Sequence, residues 1–188
     1  MPKIYTARGD TGETDLMGGE RVPKDDLQIA ALGEIDELNA VIGVAMTMIH
    51  DRNALGMLHR IQNDLFTVGS DLSIAPGKKL KLPRVSSDNV KALESDIESL
   101  TPPKVREFVF PGGSTEAAHL QLARAVARRA ERAVVALSHY QSVSPSVLEY
   151  LNRLSTLLYV LALNIKKVSG LPEEHPTYEL ALRPGKSR

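Results

Sequence analysis

Apolar residues recur every three or four positions along most of this chain, and that rhythm restricts it to helices. Ile29, Leu32, Ile35, Leu38, Ile42, Ala45 and Ile49 draw one such stripe, and Leu58, Ile61, Leu65, Val68 and Leu72 a second. Val90, Leu93, Ile97 and Leu100 make a short third, closed by Pro102-Pro103 and opened by Ser87 as the expected N-cap. A fourth helix is expected over about 115–138. A fifth starts at Ser144-Pro145, a cap followed by proline at the first helical position, and carries Leu148, Leu151, Leu154, Leu158, Leu161, Ile165 and Val168. Gly170 suits its C-terminal stop. Stripes that must each be buried predict an all-α five-helix bundle.

The chain of 188 residues reads as a single domain over 1–188. Its parts are a glycine-rich segment over 1–27, the bundle over 28–170, and a tail over 171–188 expected to be mobile. Residues 105–110, VREFVF, alternate weakly and suit a brief extended segment. There are 23 basic and 23 acidic side chains and no cysteine. Zero net charge argues against an electrostatically driven nucleic-acid binder, and disulfide or thiolate-metal chemistry is excluded. The longest apolar run, LLYVLAL over 157–163, is too short for a bilayer, which needs about twenty residues. With no apolar signal region at the start, a cytoplasmic protein is expected, without membrane or nucleic-acid partners. On that ground the tripeptide Arg8-Gly9-Asp10 is read as a chance adhesion motif.

The fourth helix contains LARAVARRAER, residues 122–132. Arg124, Arg128 and Glu131 fall on one helical face with Arg132 beside them, and Arg129 follows Arg128 directly. One reading is a solvated face with an intrahelical Arg128–Glu131 pair. The other is a polyphosphate clamp, because a guanidinium presents a fixed fork of donors to phosphate oxygens. Alanines between the arginines leave few competing charges, which favours the clamp. The opening TARGDTGETDLMGGERVPKDD is not a Walker loop, yet glycine permits close approach of backbone N–H groups to an anion. PGGST, over 111–115, could hold an anion at a helix N-terminus, but a capped turn is the simpler reading. Asp36 lies beside the first stripe, and if buried it would want an arginine such as Arg124. Asn152 sits next to the last stripe. The histidines show no ligand spacing, so a metal site is not identified, and chemistry must rest on positioning and charge stabilisation.

Taken together, these stretches resemble the PduO-type ATP:cob(I)alamin adenosyltransferases. The resemblance rests on KIYTARGDTGET, GGERVPKDD, ALGEIDELNAVIG, FVFPGGS, ARAVARRAER and YLNRLSTLLYVLA, in that order, from Lys3 to about Ala162. It implies a homotrimer of five-helix subunits with active sites between neighbours. The implied reaction moves the 5′-deoxyadenosyl group of ATP, with Mg2+, to the cobalt of cob(I)alamin. Carried over position by position, Arg128 and Arg132, with Arg129, belong to the phosphate site. Glu131 would orient the nucleotide or the magnesium shell. Thr6, Arg8, Gly9, Asp10, Gly12, Thr14 and Lys24 would wrap the phosphates, and Asn152 would face ATP. Asp36 and Arg124 resemble a pair bridging subunits, and Phe108 the aromatic packed under the corrin. A reductase and a cobalamin-dependent mutase are the partners such chemistry would call for. The alternative is a carrier that holds adenosylcobalamin without turnover. Ala7, Arg8, Thr11 and Thr156 depart from the residues common at these places.

Overall fold

A computed structural model describes residues 5–100 and 108–177. It begins with a short hairpin, β1 (Glu13–Asp15) and β2 (Arg21–Pro23), paired antiparallel with Thr14 opposite Val22. Five helices follow: α1 (Leu27–Met46), α2 (Arg52–Leu72), α3 (Ser87–Ser99), α4 (Thr115–Ser138) and α5 (Pro145–Val168). The bundle expected from the stripes is present. The hairpin was not expected, because three-residue strands are too short to show an alternating pattern. Of the extended segment expected over 105–110, residues 105–107 lie outside the described residues, and 108–110 are not part of a strand.

α4 is the central helix. It packs on α1 and α5, while α2 lies on α1 and α3 on α5. α1 and α4 run antiparallel: Arg129 reaches Glu34 and Glu37 at the middle of α1, while Glu116, at the start of α4, lies near His50 beyond the end of α1. Three alanines around the α4 arginines sit against the flanking helices. Ala123, Ala127 and Ala130 are fully buried, and side chains this small let the flanking helices approach. Their place in the sequence is a packing requirement, whatever it contributes to the arginine surface.

Helix boundaries follow local chemistry. Asp26 and Asp51 accept from the N–H groups of Gln28 and Ala54, both at 2.7 Å, capping α1 and α2. The α3 cap is Ser86 instead of Ser87, with Ser86 N–H donating to Asn89 Oδ1 at 3.0 Å. α1 ends at Met46, so Ile49 lies beyond it, although still in the core. α5 closes as expected at Gly170, where Gly170 N–H donates to Lys167 O at 3.1 Å and Leu171 N–H to Lys166 O at 3.0 Å. Val168, counted in the last stripe, is 80% exposed.

Polar groups lock the bundle at two places. Gln28 occupies a core-facing position at the start of α1. Its amide donates to Leu72 O at 2.6 Å and Ile74 O at 2.9 Å, tying α1 to the end of α2. The hairpin joins there too, since Met17 N–H donates to Ser73 O and Ala75 N–H to Met17 O, both at 2.9 Å. Deeper inside, the fully buried Tyr150 donates from its hydroxyl to Asp64 at 2.9 Å, and Asn89 donates to the other oxygen of Asp64 at 2.9 Å. This links α5, α2 and α3. Burial first, then the Asp64 charge, push the Tyr150 phenol far above its ordinary range. Among the described residues no helix is long and apolar enough to cross a membrane.

Candidate functional site

The outer face of α4 and the first half of α5 bring together four of the expected residues, Arg128, Glu131, Arg132 and Asn152. Asn152 Nδ2 donates to Glu131 Oε1 at 3.0 Å. Arg153 Nη1 donates to Asn152 Oδ1 at 2.8 Å, and Arg153 Nε holds Glu94 Oε1 at 2.9 Å. The chain Glu94–Arg153–Asn152–Glu131 thus fixes the Glu131 carboxylate against α5. Glu131 is therefore not paired with Arg128, the bond that a solvated arginine face would have shown. Arg128 is exposed and its guanidinium has no hydrogen bond or ion pair among the described residues. Arg132, one turn on, donates among the described residues only to the Arg128 backbone carbonyl, at 3.2 Å. Two guanidiniums beside a restrained carboxylate form a surface ready for an anion with several oxygens.

Arg129 is placed differently from the position expected of it. It turns toward α1, with Nε at 2.5 Å from Glu34 and Nη2 bonded to Glu37. Its hydrogen bonds to Glu34, then Glu37, push its pKa further above the ordinary arginine value. Already matched by two carboxylates, it ties α4 to α1. Glu34 and Glu37, three apart on α1, were the sequence signal for this fork, since they share one helical face.

Arg124 donates from Nε to Gln121 Oε1 at 2.7 Å and stacks over the Tyr159 ring at 5.9 Å. Asp36 is exposed on α1, at the edge of a groove shared with Met17, Asn39 and Phe66. No bond joins Asp36 to Arg124 within the chain.

The N-terminal loop is built around Lys24. A Cβ on Gly9 would stand 3.0 Å from Lys24 Nζ and 3.3 Å from Cε, so the lysine side chain packs closely against this glycine. Gly12 N–H donates to Gly9 O at 3.2 Å and Lys24 N–H to Gly12 O at 2.8 Å, closing the loop on itself. Thr6, Asp10 and Thr14 lie along it, with Thr14 in β1 and Asp10 N–H bonded to Ala7 O at 3.3 Å. Arg8 is held by Asp15 at 3.2 Å, and Arg21 bridges Glu13, Asp15 and the Arg8 carbonyl. Ala7 adopts φ 58°, which an alanine takes up at a cost of roughly 1–2 kcal/mol. The bonds of residues 6–24 run within the loop and to the end of α2. Among the described residues, no hydrogen bond or ion pair joins residues 6–24 to the arginine face.

Ser114 caps α4 by accepting from Ala117 N–H at 3.2 Å, so PGGST is a capped turn. Thr156 spends its hydroxyl on the Asn152 carbonyl at 3.4 Å and leaves the Asn152 side chain untouched. Phe108 is 79% exposed at the foot of α4. Among the described residues, no group of three or more His, Asp or Glu side chains could hold a metal. Glu94 and the buried Asp64–Tyr150 pair had no periodic signature, because long-range packing alone brings their partners together.

The cobalamin adenosyltransferase family profile matches residues 4–165 of this chain. A corrinoid adenosyltransferase of Bacillus subtilis (strain 168) is 39% identical over 175 residues, spanning 90% of this chain and 89% of the relative. A cobalamin adenosyltransferase of Cupriavidus metallidurans is 41% identical over 175 residues, spanning 90% and 91%. Among solved structures, a single-substitution variant of a PduO-type ATP:corrinoid adenosyltransferase from Lactobacillus reuteri, complexed with cobalamin and ATP, superposes with a TM-score of 0.87. It is 32% identical and covers 93% of this chain and 96% of its own.

Proposed function

The chain belongs to the cobalamin adenosyltransferase family, and we propose that it transfers the 5′-deoxyadenosyl group of ATP to the cobalt of cob(I)alamin. The products are adenosylcobalamin and triphosphate. The observation that carries this reading is the Glu131–Asn152 bond beside Arg128 and Arg132, which have no carboxylate partner among the described residues. The ATP and cobalamin in the Lactobacillus reuteri complex support the choice of substrates.

The reduced cobalt supplies the electron pair. A Co–C bond forms at C5′, the C5′–O bond breaks, and its pair leaves with the triphosphate. No general base is required, because the cobalt is already the nucleophile. The protein has to hold C5′ in line and receive the charge growing on the leaving group. Arg128 and Arg132 take that charge. Glu131, restrained through Asn152, Arg153 and Glu94, fixes the nucleotide. Lys24, Thr6, Gly9, Asp10, Gly12 and Thr14 close on the phosphates from the loop. Arg8 and Arg129 keep their carboxylate partners and contribute only indirectly. Glu131 would face the shell of a magnesium ion brought in with ATP, an ion that would offset phosphate charge. Phe108 lies against the corrin, where an apolar wall excludes water and the lower cobalt ligand.

The working unit in this reading is a homotrimer, with the loop of one subunit meeting the arginine face of the next. Two observations support it. Asp36 and Arg124 both lack a partner of opposite charge among the described residues, which suits a bridge between subunits. Phe66, Met17 and Val44 on the α1–α2 side are 71%, 48% and 49% exposed, an apolar surface that a neighbour would cover. A cytoplasmic setting, a reductase to supply cob(I)alamin and a mutase to use the product complete the proposal.

Mixing the protein with excess ATP and chemically reduced cobalamin tests it. Many equivalents of adenosylcobalamin, each matched by one triphosphate, are expected. A single equivalent bound with no turnover would replace the enzyme by a carrier.

A further inference from the structure

A lysine lies inside this protein. Lys166, in the last turn of α5, is 3% exposed. A buried ammonium is costly unless matched, and its Nζ donates to Glu173 Oε2 at 2.8 Å. On the way it passes under the turn before α4. Gly113 sits at φ 97°, and a Cβ there would stand 2.6 Å from Lys166 Cε and 3.1 Å from Nζ. Only glycine leaves room for this side chain.

Glu173 belongs to the segment after α5, which was expected to be mobile. Its described part, residues 171–177, is tied to the residues carrying Phe108. Phe110 N–H donates to Glu174 O at 2.8 Å, and His175 Nδ1 donates to Phe108 O at 2.9 Å. The stretch 108–113 is thus gripped at one end by residues 174 and 175 and at the other by Lys166 under Gly113. All of these ties converge on the Lys166–Glu173 pair. The rings they carry are nonetheless displayed, with Phe108 79% and Phe110 50% exposed. Backbone held this firmly beneath an exposed aromatic ring suits the presentation of that ring to a ligand, since a side chain inherits the precision of its support.

We propose that Lys166 and Glu173, acting through residues 174 and 175, are positioning residues for Phe108 and set where its ring stands against the corrin. The proposal rests on the reading of Phe108 as the corrin-facing aromatic. The pair then governs how well the lower cobalt ligand is excluded, and leaves the nucleotide site alone.

Full-length Glu173→Gln, Lys166→Met, His175→Ala and Phe108→Ala proteins, each checked for wild-type helicity, are mixed with ATP and cob(II)alamin. The readout is the absorbance and paramagnetic signature of four-coordinate cobalt. Glu173→Gln, Lys166→Met and His175→Ala should each lower that signature while ATP affinity stays at the wild-type value. The rate starting from cob(II)alamin with a reductant should fall about tenfold, and the rate from pre-reduced cob(I)alamin much less. In a Phe108→Ala background the same changes should have no further effect. If Glu173→Gln fails to fold, Lys166→Met and His175→Ala carry the test. Should Phe108→Ala abolish the signature while the folded positioning variants retain it, the positioning role is refuted and the reading of Phe108 survives. Should Phe108→Ala leave the signature intact, the reading of Phe108 fails and the proposal goes with it. Additive losses in the double variants would also overturn it.

Discussion

Two neighbouring arginines on α4 are handled in opposite ways. Arg129 is matched by Glu34 and Glu37 and ties α4 to α1. Arg128 is exposed, and the nearby Glu131 is already engaged by Asn152 on α5. One residue step turns a helix by about 100°, enough to send adjacent side chains to different neighbours. An arginine matched by two carboxylates stabilises the fold, whereas one left unmatched beside a restrained carboxylate is a place for a ligand's charge. Residue type and spacing are the same for both. The partners decide.

The comparison is broken most directly at Arg128. Arg128→Ala should cost about 10²–10³-fold in turnover, the usual loss when one donor to a developing anion is removed. The circular dichroism spectrum and melting temperature should be unchanged. Near-normal turnover would remove Arg128 from the site.

A buried polar contact gives the opposite pattern. Tyr150→Phe leaves one Asp64 oxygen unsatisfied and should cost about 1–3 kcal/mol of stability. Turnover per folded molecule should hold. A denaturant midpoint equal to wild type would mean that Asp64 finds another donor.

Arg129→Ala should act in the same way as Tyr150→Phe but more weakly. It should lower the melting temperature slightly, by an amount that shrinks as salt rises, because the ion pairs are partly exposed. ATP affinity should be retained. A loss comparable to that of Arg128→Ala would show that the two arginines act together on the ligand.

The smallest expected effect is at Asp71. Its Oδ1 holds Arg84 at 2.7 Å, while its buried Oδ2 has no partner. Burial raises its pKa, against the lowering pull of Arg84. The folded state therefore binds this proton more readily than the unfolded chain, so its contribution to stability falls as pH rises through the folded pKa. Asp71→Asn should flatten the stability–pH curve across the carboxylate range. A curve parallel to wild type would rule this out.

Much of the molecule was legible beforehand because local rules write it locally. The five helices followed from apolar spacing, the α5 start from Ser144-Pro145 and its end from Gly170. The α3 start was displaced by one residue because Asn89 pairs with Ser86. The motifs around Arg128, Glu131 and Asn152 could be marked as a group, but the Glu131–Asn152 bond joins residues 21 apart on two helices and exists only once α4 and α5 pack. Arg129 was grouped with Arg128 because the sequence does not display the rotation of α4 against α1. The segment 171–177 looked like tail because it has no periodicity, yet backbone bonds to Phe108 and Phe110 hold it.

The sequence alone determined the helical architecture and the stock of charges, since periodicity and composition act over a few residues and need no knowledge of the rest of the chain. Only the tertiary structure decided which charges are consumed. Whether an arginine, a carboxylate or Lys166 is matched depends on what another helix brings within about 3 Å, and that distance is set by packing between segments far apart in the chain.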